Sequence, residues 1–219
     1  MAKIVIYGAG DIARLAHFYF TKDSDHEVVG FCVDAQFKKA DELFGLPITS
    51  FEQVGSDFPP AAHDMFVAMG YGGMNQQRAD ACERGRAAGY TLVSYVSSRC
   101  TFLTEHPIGD NCFILEDNTV QPFVKIGSNV TLWSGNHIGH DVVIDDDCFV
   151  TSHVVISGNT HVKRGCFLGV NATIRNGIEI GERTLVVAGA TILKSTEPES
   201  VYAGERAKRL PKSSLDVKL

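Results

Sequence analysis

Ile138-Gly-His-Asp-Val-Val143, Ile144-Asp-Asp-Asp-Cys-Phe149, Val150-Thr-Ser-His-Val-Val155 and Ile156-Ser-Gly-Asn-Thr-His161 are four successive hexads, each opening on an aliphatic residue. The register extends both ways through Ile108, Ile114, Val120, Ile126 and Leu132, then Val162, Leu168, Ile174, Ile180, Val186 and Ile192. A helix repeats every ~3.6 residues and a half-buried strand every ~2, so neither explains a strict six. The fifth place carries small or Val-sized side chains almost throughout, from Cys112 and Asn118 to Ala190 and Thr196. The second place is glycine at 109, 127, 139, 169 and 181, where a turn with unusual backbone angles is expected.

A three-sided prism satisfies this pattern. Each hexad gives one short strand and one corner, three hexads close a coil, and residues 18 apart lie above one another. Each coil covers the apolar face of its neighbour. Cys112, Cys148 and Cys166 fall on one prism face at an inward place, so packing accounts for them better than metal binding.

The remaining composition narrows the field. The 219 residues are 44% hydrophobic with a formal charge of −6, which gives no general attraction for nucleic acid or anionic membrane. No stretch reaches the ~20 apolar residues of a membrane span, and the short N-terminal apolar run is no signal peptide. The six cysteines form no C-x-x-C pair, so free thiols in a reducing, cytoplasmic compartment are expected. Basic residues gather at Lys194, Arg206, Lys208, Arg209 and Lys212, as a phosphate-contacting patch or a solvated tail.

Before the repeat, Lys3–Tyr7, Glu27–Val33, Asp64–Met69 and Thr91–Val96 read as strands, with helices over Asp11–Phe20 and Asn75–Ala88. The loop Phe58-Pro-Pro60 and the stretch Ser97–Pro107 read as connections. Alternating strands and helices predict a small parallel α/β sheet. Gly8-x-Gly10-x-x-Ala13 between strand and helix, with Asp34 closing the next strand, fits a dinucleotide-type fingerprint. The glycines admit a close ligand, the helix start offers amide donors, and the carboxylate suits a ribose hydroxyl. The α/β region stops near residue 97 without a second half. That favours a sugar nucleotide over the NAD of a dehydrogenase, with a purely structural glycine turn as the other reading. Arg78 fits either a phosphate contact or a solvated helix face.

His140 occupies an outward place of its hexad, with Gly158 one coil above it. Bare backbone beside an exposed imidazole leaves room for a thioester, and imidazole suits removal of a proton from an attacking amine or hydroxyl. Asp141 is the natural partner to orient the ring. His137 fits either a residue assisting the base or a solvent-bonded surface residue; His153 and His161 read as surface or interface. Trp133 and Asn136 are candidates for the cleft, with Asn136 equally suited to an interior ladder.

Tyr7-Gly-Ala-Gly10, Val33-Asp34, Ala68-Met-Gly70, Ile138-Gly-His-Asp141, Cys166-Phe-Leu-Gly-Val-Asn171 and Val201-Tyr-Ala-Gly204 with Ala207-Lys208 together resemble the bacterial sugar O-/N-acyltransferase family. That family includes the sialic acid O-acetyltransferases and bacillosamine-pathway N-acetyltransferases, which are hexapeptide-repeat transferases. The resemblance implies a left-handed hand for the parallel β-helix and an acetyl-CoA-dependent acetyltransferase acting on an amino group of a nucleotide-linked sugar in surface glycan biosynthesis. It implies a homotrimer with active sites between adjacent prisms, His140 as base and Asp141 as its partner. Gly158, Ala188, Gly189 and Lys208 are then the coenzyme A candidates. Gly8, Gly10, Asp11, Asp34, Gly70, Tyr71 and Arg78 are the acceptor candidates, and no metal is expected. Two positions differ from the family pattern: Ile12 replaces a histidine common in the first glycine loop, and Gly204-Glu-Arg-Ala-Lys208 lacks the usual proline.

The expected architecture is a small Rossmann-like α/β domain over 1–97, an all-β left-handed parallel β-helix over 98–200 and a tail over 201–219. The close functional alternative is sugar O-acetylation. A γ-carbonic-anhydrase-like zinc enzyme, which shares the prism, and a non-catalytic nucleotide-sugar sensor stand further off.

Overall fold

The structure, a computed structural model, describes residues 2–205, 207–209, 211 and 215. Arg206 and Lys212 of the basic cluster lie outside them. The N-terminal part places β1 (Lys3–Tyr7), α1 (Asp11–Lys22), β2 (Glu27–Val33), β3 (Glu42–Leu43), β4 (Leu46–Ser50), α2 (Val54–Asp57), β5 (Asp64–Val67) and α3 (Gln76–Ala87) in chain order. The sheet order is β3-β4-β2-β1-β5. β4, β2, β1 and β5 run parallel, but β3 pairs antiparallel with β4, so the expected parallel sheet carries a hairpin at one edge. That hairpin is too short to show a strand period, and Pro47 is tolerated because it lies before the pairing of β4 with β2 begins at Ile48.

Seventeen two-residue strands follow among the described residues, from β6 (Tyr95–Val96) to β22 (Val201–Tyr202). They stack in register every 18 residues: Thr131 on Phe149, His137 on Val155, Val143 on His161. Three faces result, forming a left-handed parallel β-helix. Face one holds the strands at 95–96, 113–114, 131–132, 149–150, 167–168, 185–186 and 201–202. Face two holds those at 101–102, 119–120, 137–138, 155–156, 173–174 and 191–192, and face three those at 125–126, 143–144, 161–162 and 179–180. The first-place residues from Ile114 to Ile192 are buried, as are the fifth-place ones apart from the partly buried Ile178. Cys112, Cys148 and Cys166 are buried free thiols on this interior, and Asn136 is an interior ladder residue whose Oδ1 accepts from Val154 N at 2.8 Å.

Two expectations need correction. Thr91–Val96 is not a fourth strand of the α/β sheet: Leu92 makes a single bridge to Met65, and Tyr95–Val96 opens face one of the prism, while Thr101–Phe102, expected as connection, opens face two. The second-place glycines do not carry the unusual backbone angles. Positive φ falls on the fourth place instead, at every hexad from Asn111 to Gly189. The second-place glycines are needed for another reason. A Cβ on Gly139 would lie 2.5 Å from Gly158 N, and one on Gly169 would lie 2.4 Å from Ala188 N, so successive coils could not close.

The α/β layer is fastened across face one. Arg78 is 2% exposed and donates to Asn129 Oδ1 and to the carbonyls of Asn129, Asp147 and Cys148, with Phe149 under its guanidinium at 5.4 Å. Burial pushes its pKa down. Arg86 holds Asp110 through two bonds of 2.9 and 2.7 Å. The Asp23 carboxylate accepts from Tyr95, Ser97 and Ser98, tying the end of α1 to the first coil.

Candidate active site

His140 lies at the corner where face two, through the strand His137–Ile138, turns into face three at Val143–Ile144. Its backbone is fixed on both sides: N donates to Gln121 Oε1 at 2.9 Å and O accepts from Asn159 N at 2.9 Å. Nδ1 is 2.9 Å from Asp141 Oδ2, and both side chains are more than half exposed. Asp141 can sit there because its fourth-place φ of 58° is one that Asp and Asn tolerate better than most residues. The contact favours the tautomer in which Nδ1–H donates to the carboxylate, leaving the Nε2 lone pair free to take a proton. Directly above, a Cβ on Gly158 would come within 2.7 Å of Nε2. The missing side chain therefore leaves open the space beside the basic nitrogen.

The other histidines do not converge with it. His137 is exposed on face two. His153 sits at the corner joining face one to face two, where a Cβ on Gly135 would touch its ring. His161 pairs with Asp145 at 2.9 Å on face three. Among the described residues no group of three His, Cys, Asp or Glu side chains is placed to hold a metal ion.

A second feature is a cleft of about 730 Å³ in the α/β layer, lined by Gly8, Gly10, Asp11, Asp34, Gly70 and Tyr71 among others. Six of the seven acceptor candidates thus share one cavity. Gly8, at φ 138°, is required by the fold, since a Cβ there would lie 2.5 Å from Ala68 O. Gly10 begins α1 and has nothing within 4 Å of where a Cβ would stand, so its bareness serves the cavity. Tyr71 packs on Phe149 and Phe167 of face one, carrying the cleft onto the prism. Arg78 is the exception. Both readings of it give way, because its guanidinium is buried and engaged by the prism backbone and is neither solvated nor open to a ligand.

Sequence reasoning missed the α3 wall of this cleft: Gln77, Asp80, Ala81 and Arg84. Their spacing of three and four along a helix places them on one face, a signal present in the sequence. Arg84 hydrogen-bonds Asp34 and holds its carboxyl below the usual range against the opposing effect of burial, and Tyr7 adds to this. Burial and the same carboxylate push the Tyr7 hydroxyl far up.

The coenzyme A candidates separate. Gly158 belongs to the His140 corner, whereas Ala188 and Gly189 lie at the corner joining face one to face two, after the strand Leu185–Val186. Lys208 is exposed beyond the last strand. Within one chain, the cleft and the His140 corner share no lining residue.

Residues 124–158 match the family model described as bacterial transferase hexapeptide (six repeats), and residues 164–194 match the hexapeptide repeat of succinyl-transferase. Among solved structures, the acetyltransferase domain of PglB from Neisseria gonorrhoeae FA1090 superposes with a TM-score of 0.79 at 20% identity, covering 96% of this chain and 100% of that one. A variant of perosamine N-acetyltransferase from Caulobacter crescentus, in complex with CoA and GDP-perosamine, gives 0.82 at 20% identity over 93% and 94%. At such identity the likeness is one of fold, and it spans both layers. An acyl-[acyl-carrier-protein]–UDP-N-acetylglucosamine O-acyltransferase from Nautilia profundicola is 25% identical over 112 residues, 48% of this chain and 43% of that protein. The chain matches less than half the length of such curated relatives. Spacing, coil geometry and both family models agree that residues 124–158 and 164–194 are built from hexapeptide repeats.

Proposed function

We propose that the protein is an acetyl-CoA-dependent N-acetyltransferase that acylates the amino group of a nucleotide-linked sugar, a step of surface glycan biosynthesis. One observation carries the reading: an exposed imidazole, oriented by a carboxylate at 2.9 Å, stands beneath a residue with no side chain. Nε2 takes the proton of the attacking amine as the nitrogen bonds to the thioester carbon, and Asp141 stabilises the imidazolium that forms. The C–S bond breaks, the imidazolium returns its proton to the departing sulfur, and coenzyme A leaves as its thiol while the acetamide remains. The α/β cleft holds the nucleotide; fold neighbours of this chain were solved with both CoA and GDP-perosamine, which supports a site for each ligand class.

The reading includes a homotrimer. The cleft lies over face one, and His140 lies at the corner between faces two and three. Joining the His140–Gly158 corner of one protomer to the Ala188–Gly189 corner of the next brings base, donor channel and acceptor cleft together. Incubation with acetyl-CoA and a panel of amino-sugar and hydroxyl-sugar nucleotides, following thiol release, tests the activity. Release with amines only is expected; release with no acceptor refutes the reading, and release with hydroxyl sugars alone assigns O-acetylation. Mixing His140→Ala and Asp34→Ala chains tests the assembly: activity returns when base and cleft come from different protomers.

A further inference from the structure

Several elements of the α/β layer converge on one oxygen atom. Tyr7, the last residue of β1, donates its hydroxyl to Asp34 Oδ1 at 2.5 Å, and Arg84 of α3 brings Nη2 to the same oxygen at 2.8 Å. The guanidinium lies over the Phe51 ring at 4.3 Å and the Tyr7 ring at 5.6 Å, and those two rings stack 4.6 Å apart. Oδ1 therefore holds both contacts, a hydrogen bond from the Tyr7 hydroxyl and an ion pair with the Arg84 guanidinium. Oδ2 accepts none among the described residues, and Asp34 and Arg84 both line the cleft. A carboxylate pinned through one oxygen has its rotamer fixed before any ligand arrives. The two lone pairs on the other oxygen match two hydroxyl donors on adjacent carbons.

We propose that Arg84 is a positioning residue that, with Tyr7, fixes Asp34 so that Oδ2 receives the vicinal hydroxyls of a ribose, making the cleft select ribonucleotides over 2′-deoxyribonucleotides. This deepens the reading above and rests on it only for the nucleotide class of the ligand. Removing one hydroxyl leaves a partly buried charged acceptor with a lost partner, which weakens binding on the order of tenfold or more.

The test is calorimetric binding of UDP, dUDP, GDP and dGDP to the full chain and to Arg84→Ala, Arg84→Lys and Tyr7→Phe, with melting recorded for each. The unaltered protein is expected to bind the ribo form of a pair at least about tenfold more tightly. Arg84→Ala brings that ratio to within about twofold of unity, and Arg84→Lys, keeping the charge, retains part of it. If Arg84→Ala fails to fold, Arg84→Lys and Tyr7→Phe carry the test, both lowering the ratio. An unaltered ratio in folded variants, equal binding of ribo and deoxy forms, or no nucleotide binding at all overturns the inference. Thiol release is measured separately. Ribose preference without acetyl transfer defeats only the acetyltransferase reading, and transfer without ribose preference defeats only this one.

Discussion

Gly139 and Gly158 occupy consecutive coils at the same corner, and replacing each by alanine should produce opposite phenotypes. At Gly158 the new methyl comes 2.7 Å from His140 Nε2, about 0.7 Å short of the 3.4 Å at which ordinary contact begins. The obstacle is the far end of an exposed side chain, and φ at Gly158 is outside the left-handed region, so the ring swings away and the coil stays closed. A displacement approaching 1 Å at the basic nitrogen lowers turnover on the order of 10²-fold. At Gly139 the methyl meets Gly158 N at 2.5 Å and Ile156 O at 3.0 Å, and neither backbone atom can yield without parting the coils. Overpacking of that kind costs roughly 1–3 kcal/mol, a fall of several degrees in Tm for a chain of this length. Thiol-release kinetics and calorimetric melting on both variants separate the cases. Full kcat in a folded Gly158→Ala protein would refute the claim that the ring must stay where it is.

His140→Ala should lower kcat about 10²- to 10⁴-fold with melting unchanged, because the imidazole is exposed and carries no fold contact through its ring beyond Asp141. Asp141→Asn tolerates the positive φ and should leave Tm unaltered while kcat falls; Asp141→Ala should lower both, and the pair read by kinetics and melting divides orientation from strain. Arg78→Ala takes from the carbonyls of Asn129 and Asp147 their Arg78 donor and should destabilise by about 1–3 kcal/mol for each, read as a Tm drop. Burial of Asp23 opposes ionisation, but bonds from Ser98, Tyr95 and Ser97 outweigh it and hold the pKa down at about 2. Its contribution is therefore present above the ordinary 3.8 and lost as pH falls towards about 2. Asp23→Asn should flatten the acid limb of a melting-versus-pH curve over that window.

The prism was legible because its demand is local and repeated: every first place from Ile114 onward must enter a closed interior, and only aliphatic residues satisfy it. The fourth place was readable in most hexads, Phe123, His153 and Arg183 being the exceptions. Asn111, Asp117, Asn129, Asp141, Asp147, Asn159 and Asn171, with glycines at 135, 165, 177 and 189, are the residues that best tolerate positive φ. Glycine at the second place serves close coil approach, not backbone twist; both select glycine, so residue type alone does not separate the two corner positions. His140 over Gly158 followed from the 18-residue stack alone. Arg78 and Arg84 could not be told apart in this way. They stand six residues apart on one helix, and what separates them is which partner each meets: prism carbonyls of residues 129, 147 and 148 for one, Asp34 and Phe51 for the other.

The polypeptide passes from its bridge at Leu92 in the first layer to a paired strand of the prism at Tyr95 within three residues, and Arg78, Arg86 and Asp23 rivet the same seam. Such a joint has no hinge, so in the proposed trimer the distance from the cleft to the neighbouring protomer's His140 is set by folding and subunit packing, not by movement between the two layers. Under the proposed function, such an enzyme gauges its acceptor as fixed calipers do: a sugar whose amine stands one bond too near or too far from the diphosphate should bind and go unacylated.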